Sequence, residues 1–258
     1  MNGEIGLFDP LPLWALFLVT VGIALASVEA GNRIARGRRQ RAEEKKEAPP
    51  AGMVGATLGL LAFMLAFTFG MASSRFDGRR QLVLSEVNAI STAYLRAGLL
   101  PEPMRTESRS LLRQYVDVRI EGAQPEKTSQ AISKSKELQK LLWAQAVAMT
   151  EKERSAITSL FIQSLNSVIE THTARVTALQ NRIPAAIWIG LYLLAILAMS
   201  ALGYQEGAAS DRRSLASFAL VLAFSSVLVL IANLDRPGKG LLQVSQQSMV
   251  ELQQSMSQ

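Results

Sequence analysis

The sequence predicts an all-α integral membrane protein, with four transmembrane helices and a helical-bundle extramembrane domain inserted between the second and third. Three observations carry this. Residues 11–28, 51–74, 183–204 and 214–234 contain no charged side chain, and they approach or exceed the roughly 20 residues a helix needs to cross a bilayer. The segment 75–182 is polar, yet its apolar residues recur at steps of three and four, the period of an amphipathic helix. Finally, 49% hydrophobic residues stand beside 19% charged ones, with a mean hydropathy of +0.19. Such segregation excludes a disordered chain.

The chain has no cysteine and one histidine. That rules out a disulfide framework, a thiolate metal site and a cysteine nucleophile, and it argues against a histidine-rich metal centre. No cofactor, metal or nucleic acid is expected.

Residues 1–10 form a short N-terminal segment with Glu4 and Asp9 and no Lys or Arg. The first span, 11–28, follows. Although Ala24-Leu25-Ala26 resembles a signal-peptide cleavage site, no basic region precedes the apolar run. The basic cluster comes after it, as in a stop-transfer sequence. Between Arg33 and Lys46 lie seven Lys/Arg, so the positive-inside rule puts the loop 29–50 in the cytoplasm. Arg212 and Arg213, in the short loop 205–213, agree. Both termini and the long segment 75–182 then lie on the extracytoplasmic side of the membrane. Arg75, Arg79 and Arg80 after the second span, with Arg175 and Arg182 before the third, pull the other way.

In the middle segment Val83, Val87, Ile90 and Tyr94 mark one helix face, continuing the second span to about Gly98. Pro101 and Pro103 punctuate the turn. A helix from about Met104 to Ile120 carries Leu111, Tyr115 and Val118, and Gly122–Pro125 breaks it. A third, about Ser129 to Met149, carries Leu138, Leu142 and Met149. Thr150 with Glu153 has capping-box spacing for the next helix. Its apolar seam of Ile157, Phe161, Leu165, Val168, His172, Val176, Leu179 and Ile183 calls for a partner helix. His172 reads first as a buried histidine with a hydrogen-bond partner, and second as a pH-sensing or ligand-binding group. Pro184 kinks this helix or starts a new one. The tail 235–258 is amphipathic. Leu241, Leu242, Val244 and Met249 are expected to pack beside the bundle, with Asp235 and Arg236 a candidate structural ion pair.

No catalytic constellation emerges, and the protein is not expected to be an enzyme. The basic run Arg33–Arg41 reads as contact with anionic lipid headgroups. No Asp, Glu, Lys, Arg or His lies inside a span, which argues against proton coupling and voltage sensing. In the second span Gly55 and Gly59 form a G-x-x-x-G, a helix-packing motif. Phe63, Phe67 and Thr68 are candidates for a pore constriction, and Arg75, Arg79 and Arg80 for pore-mouth charge.

Several motifs occur in one order: Gly59–Gly70, Arg75-Phe76-Asp77-Gly78-Arg79-Arg80, Glu86-Val-Asn88-Ala-Ile90, Tyr94-Leu95-Arg96, Leu100-Pro101, Tyr115-Val-Asp117-Val-Arg119, Leu234-Asp235-Arg236-Pro237 and Val244-Ser245-Gln246-Gln247. Together they span nearly the whole chain and resemble a bacterial bestrophin-like family. Bestrophins are oligomeric anion channels with four spans per protomer and a helical extramembrane domain, so the resemblance implies a homo-oligomeric ion channel. The acidic calcium-binding cluster of animal bestrophins is missing here, and the bestrophin domain is cytoplasmic, unlike the side argued above. The expectation is thus a homo-oligomeric channel with a pore lined by 51–74. The alternative is a membrane sensor or scaffold whose extracytoplasmic bundle acts through a partner protein.

Overall fold

The computed structural model describes residues 10–41, 51–152, 155–209, 215–238, 240 and 242–257. Eight helices run through these residues, and none forms a strand. They are α1 (Leu13–Arg41), α2 (Ala51–Ala97), α3 (Met104–Glu121), α4 (Thr128–Lys152), α5 (Ala156–Gln180), α6 (Ala185–Ala209), α7 (Leu215–Asp235) and α8 (Gln247–Ser257). Four stretches are long and apolar enough to cross a membrane: Leu13–Arg38, Gly52–Ala97, Ala156–Ala209 (which contains α6) and Leu215–Asp235. Arg212, Arg213 and the Lys45–Lys46 end of the basic loop lie outside the described residues. The chain divides into two compact units.

The first unit comprises residues up to Ser74, with Arg182–Arg236 and Gly240–Leu242. Its helices are apolar nearly all round, as membrane helices are. In lipid they cannot gain from apolar burial, so small residues that let backbones meet do the packing. Here α1 lies against α6 at backbone distance. A methyl on Gly203 would stand 1.9 Å from the Val28 carbonyl oxygen, and one on Gly31 would stand 2.0 Å from that of Ser200. A hydrogen bond of 2.9 Å between the Thr20 and Tyr192 hydroxyls ties the same pair of helices. Because the Thr20 hydroxyl already donates to the Leu16 carbonyl at 2.8 Å, Tyr192 is the donor to it.

At the end of α7, the Asp235 carboxylate accepts the Ile183 N–H at 2.9 Å, and Arg182 donates to the Asp235 carbonyl. The Arg236 guanidinium donates to the Leu11 carbonyl at 2.7 Å. Both members of the expected ion pair therefore hold main-chain groups at helix ends. Pro184 sits just before α6 and starts a new helix, since it supplies no N–H where none is needed.

The second unit comprises Arg75–Asn181, Pro237–Lys239 and Gln243–Gln258. Its core gathers Ile90, Ala93 and Ala97 of α2, Leu112, Tyr115 and Val116 of α3, Leu138 and Leu142 of α4, and Phe161, Leu165 and Val168 of α5. Gly122 lets α4 approach the end of α3, because a Cβ there would come within 2.5 Å of the Ala131 methyl. Gly238 takes φ +77°, a left-handed conformation open to glycine, as the chain turns toward the tail.

Two expectations need correcting here. Thr150 does not cap α5. It lies inside α4 with its hydroxyl bonded to the Ala146 carbonyl at 2.9 Å, which lets the helix run on; Glu153 lies outside the described residues. Ser155 is the cap, its Oγ accepting the Thr158 N–H at 3.2 Å. In the tail, Met249 is buried as expected and Val244 is half-buried, but Leu242 is 45% exposed, and Leu241 lies outside the described residues. The side chains that enter the core are Met249, Leu252 and Met256, spaced by three and four on α8.

Candidate functional site

Along 51–74, α2 has two unlike sides. Val54, Leu61, Leu65, Thr68 and Ala72 are buried at steps of seven, four, three and four. The opposite side carries Gly52, Ala56, Gly59, Phe63, Ala66, Phe67 and Gly70, all exposed. Phe63 is 66% and Phe67 64% exposed. Among the described residues nothing stands within 4 Å of where a Cβ on Gly55 or Gly59 would lie, so none of them packs against the G-x-x-x-G inside the protomer. Close helix packing falls instead to Gly31, Gly203 and Gly207.

Thr68 departs from the expected set. It is fully buried, with its hydroxyl donating to the Met64 carbonyl at 2.8 Å. Five residues past Phe63, it stands about 140° round the helix, away from the phenylalanine side. The three arginines also separate. Arg79 is buried at 5% exposure, Arg75 is half-buried and Arg80 is exposed. Arg75 and Arg79, four residues apart, lie within about 40° of one another around the helix axis, whereas Arg80 is turned about 100–140° from them.

A second polar centre lies within the helical unit, and the sequence did not single it out. Glu86, 0% exposed, receives the Tyr115 hydroxyl at 3.0 Å on Oε1. Arg119 Nη2 donates to Oε2 at 3.3 Å, and Arg175 Nη1 donates to the same oxygen. Arg119 Nε lies 2.9 Å from Oε1, an ion-pair distance, but its N–H is not aimed at the oxygen, so Nη2 makes the hydrogen bond. Arg175 reaches on to Gln246 of the tail at 2.7 Å.

Tyr115 has one proton, and a carboxylate can only accept. The hydroxyl therefore donates to Glu86 while accepting from Gln139 Nε2 at 3.3 Å and His172 Nδ1 at 3.1 Å. This network places a proton on His172 Nδ1, while the buried Nε2 has no hydrogen-bond partner among the described residues. His172 is a buried histidine with a hydrogen-bond partner, the first of its two sequence readings.

Burial by itself pushes the Glu86 carboxyl upward. The nearby His172 ring, its Nδ1 3.8 Å from Oε1, and the charges of Arg119 and Arg175 outweigh it and hold the group at about 2. Burial, reinforced by the Glu86 charge, drives the Tyr115 hydroxyl far above the usual tyrosine range, so it remains a donor. For Arg175 burial outweighs the pull of Glu86 and lowers it, so the two partners do not move apart symmetrically. The guanidinium stays charged either way. One carboxylate between two guanidinia, buried across α2, α3, α5 and the tail, is a structural clamp. Among the described residues no three metal-ligating side chains come together.

A bestrophin-like domain model matches residues 18–249. The chain belongs to the bestrophin-like family. Four helices able to cross a bilayer, together with that membership, make this bestrophin-like chain a multi-pass membrane protein. Its fold is that of solved bacterial relatives. A point variant of a bacterial bestrophin homolog from Klebsiella pneumoniae matches at TM-score 0.65 and 14% identity, over 94% of this chain and 96% of that one. A second variant of that homolog gives 0.67 and 13%, over 95% and 97%. A structure described as a membrane protein gives 0.68 and 13%, over 93% and 96%. No curated protein matches the chain.

Proposed function

We propose that this bestrophin-like protein is a homo-oligomeric ion channel of the bacterial inner membrane, with a pore lined by residues 51–74. The observation that carries the reading is the exposed side of α2. Small residues at Gly52, Ala56, Gly59 and Gly70 leave room, while the Phe63 and Phe67 rings, each about two-thirds exposed, narrow the path. Copies arranged around an axis would bring these rings together as an apolar constriction, which gates by dewetting. Gly55 and Gly59, open within the protomer, are then available for packing between protomers. In this reading 11–28, 51–74, 183–204 and 214–234 cross the membrane in turn, the helical domain 75–182 being inserted between the second and third. That domain and both termini lie outside the cytoplasm.

The test is ion flux into liposomes containing the purified protein, with Phe63→Ala and Phe67→Ala alongside. Either substitution widens an apolar constriction and should raise conductance. Unchanged currents through a working channel would refute the pore assignment. A protein that elutes as a monomer or dimer and passes no ions would favour the sensor or scaffold reading.

A further inference from the structure

A hydroxyl on a membrane helix has no bulk solvent to turn to, so it bonds back to its own backbone. Thr20, Ser27, Thr68 and Ser226 all do so, each donating at 2.8 Å to the carbonyl four residues before it. Ser225, on α7, does not. It is 1% exposed, and its Oγ has no hydrogen-bond partner among the described residues. A buried hydroxyl left without a partner is costly in hydrocarbon.

Ser225 lines a cavity of about 10 Å³ between α1, α6 and α7, all of them helices of the first unit. Thr20 of α1 and Tyr192 of α6 bring two more hydroxyls to its wall, and Met199 and Leu228 are among its apolar neighbours. The volume fits one water molecule and nothing larger. The lining carries no charge, which suits a neutral occupant. The hydroxyls also have bonds to give. The Thr20 oxygen sends its proton to Leu16 and accepts that of Tyr192 at 2.9 Å, which leaves it one lone pair. Ser225 offers its proton and both lone pairs.

We infer that this cavity is a binding site for a single water molecule, which accepts the Ser225 proton and donates to Thr20. The water completes the bonding of Ser225 and ties α7 to the hydrogen-bonded pair α1 and α6. In lipid, where apolar burial does not drive helices together, such a polar tie counts directly toward packing.

The experiment is a double-mutant cycle on the full-length protein in detergent: Ser225→Ala, Thr20→Val and the pair, each followed by thermal unfolding. A wild-type density map at a resolution that shows ordered water accompanies it. Ser225→Ala should lower the midpoint by about 2–4 °C, the shift one such hydrogen bond makes in a chain of this size. The double variant should lose about 2–4 °C less than the sum of the single losses, because either substitution alone breaks the bridge. Thr20 and Ser225 share no direct hydrogen bond, so the water is what couples them. Ser226→Ala, at the exposed neighbouring position, should melt within about 2 °C of wild type. The map should hold a peak about 2.8 Å from both the Thr20 and Ser225 oxygens. Additive losses, or a Ser225→Ala protein that melts at or above wild type, overturn the assignment: the hydroxyl then turns back on its own helix beside a dry cavity. A map without the peak overturns it as well, even where a variant fails to fold.

Discussion

Glu86→Gln removes a negative charge from the interior of the helical unit while leaving its shape almost unchanged. Arg119 and Arg175 would then sit in the core without a counter-charge, their side chains 6% and 11% exposed. Breaking a buried ion pair from one side costs about 3–5 kcal/mol, most of it the penalty of the stranded partner. The carboxyl's own titration gives a consistent figure. Its folded value of about 2, against an ordinary 4.5, corresponds to about 3 kcal/mol of stability. The sign follows from the depressed folded value. This stabilisation is complete above about pH 4.5, and it drains away as the pH falls toward 2. Thermal unfolding in detergent, followed by circular dichroism from pH 7 to pH 3, reads both effects. At pH 7 the domain of Glu86→Gln should melt on the order of 10–20 °C below wild type. In acid the wild-type midpoint should fall toward the mutant's, so the two curves converge. A mutant within about 2 °C of wild type at pH 7, or one with the wild-type acid slope, would refute the clamp.

Two further predictions concern the apolar unit and the topology. Gly203→Ala drives a methyl into the Val28 carbonyl, so it should cost at least about 1–3 kcal/mol and lower the yield of folded protein. Gly190→Ala, where nothing among the described residues stands within 4 Å, should be neutral in the same size-exclusion and melting assays. Since the chain has no cysteine, Ser133→Cys at an exposed position of α4 gives a single label site. A membrane-impermeant maleimide should modify it in intact spheroplasts, and protection until lysis would reverse the proposed orientation.

Much of the architecture can be read from residue order, because it depends on local patterns. Charge-free runs mark the candidate spans, and the step of Val83, Val87, Ile90 and Tyr94 marks the inner face of α2. The Glu86 clamp cannot be read the same way. Its partners lie 29 to 89 residues away, and a glutamate amid a helical period looks like any solvated acid. A faint signal exists. Glu86 falls three after Val83 and four before Ile90, on the apolar face, while Arg119 follows Tyr115 by four and Arg175 follows His172 by three. The arginines after the second span show a related effect: sequence proximity groups all three, but helical rotation turns Arg80 away from Arg75 and Arg79. Thr150 and Ser155 are both good caps by residue type, and only the extent of α4 decides between them.

The backbone contact between α1 and α6 bears on how the chain is made. Gly31 and Gly203 are 172 residues apart, and so are Thr20 and Tyr192. At the usual 5–20 residues per second, α1 waits roughly 10–30 s in the membrane before α6 emerges from the ribosome. During that interval Thr20, Ser27 and Asn32, all buried in the finished protein, have no helix to cover them. The helix α1 is therefore made long before the neighbour that covers it. The glycine notches of α1 and its buried polar side chains thus gain their partner only after most of the chain has been made.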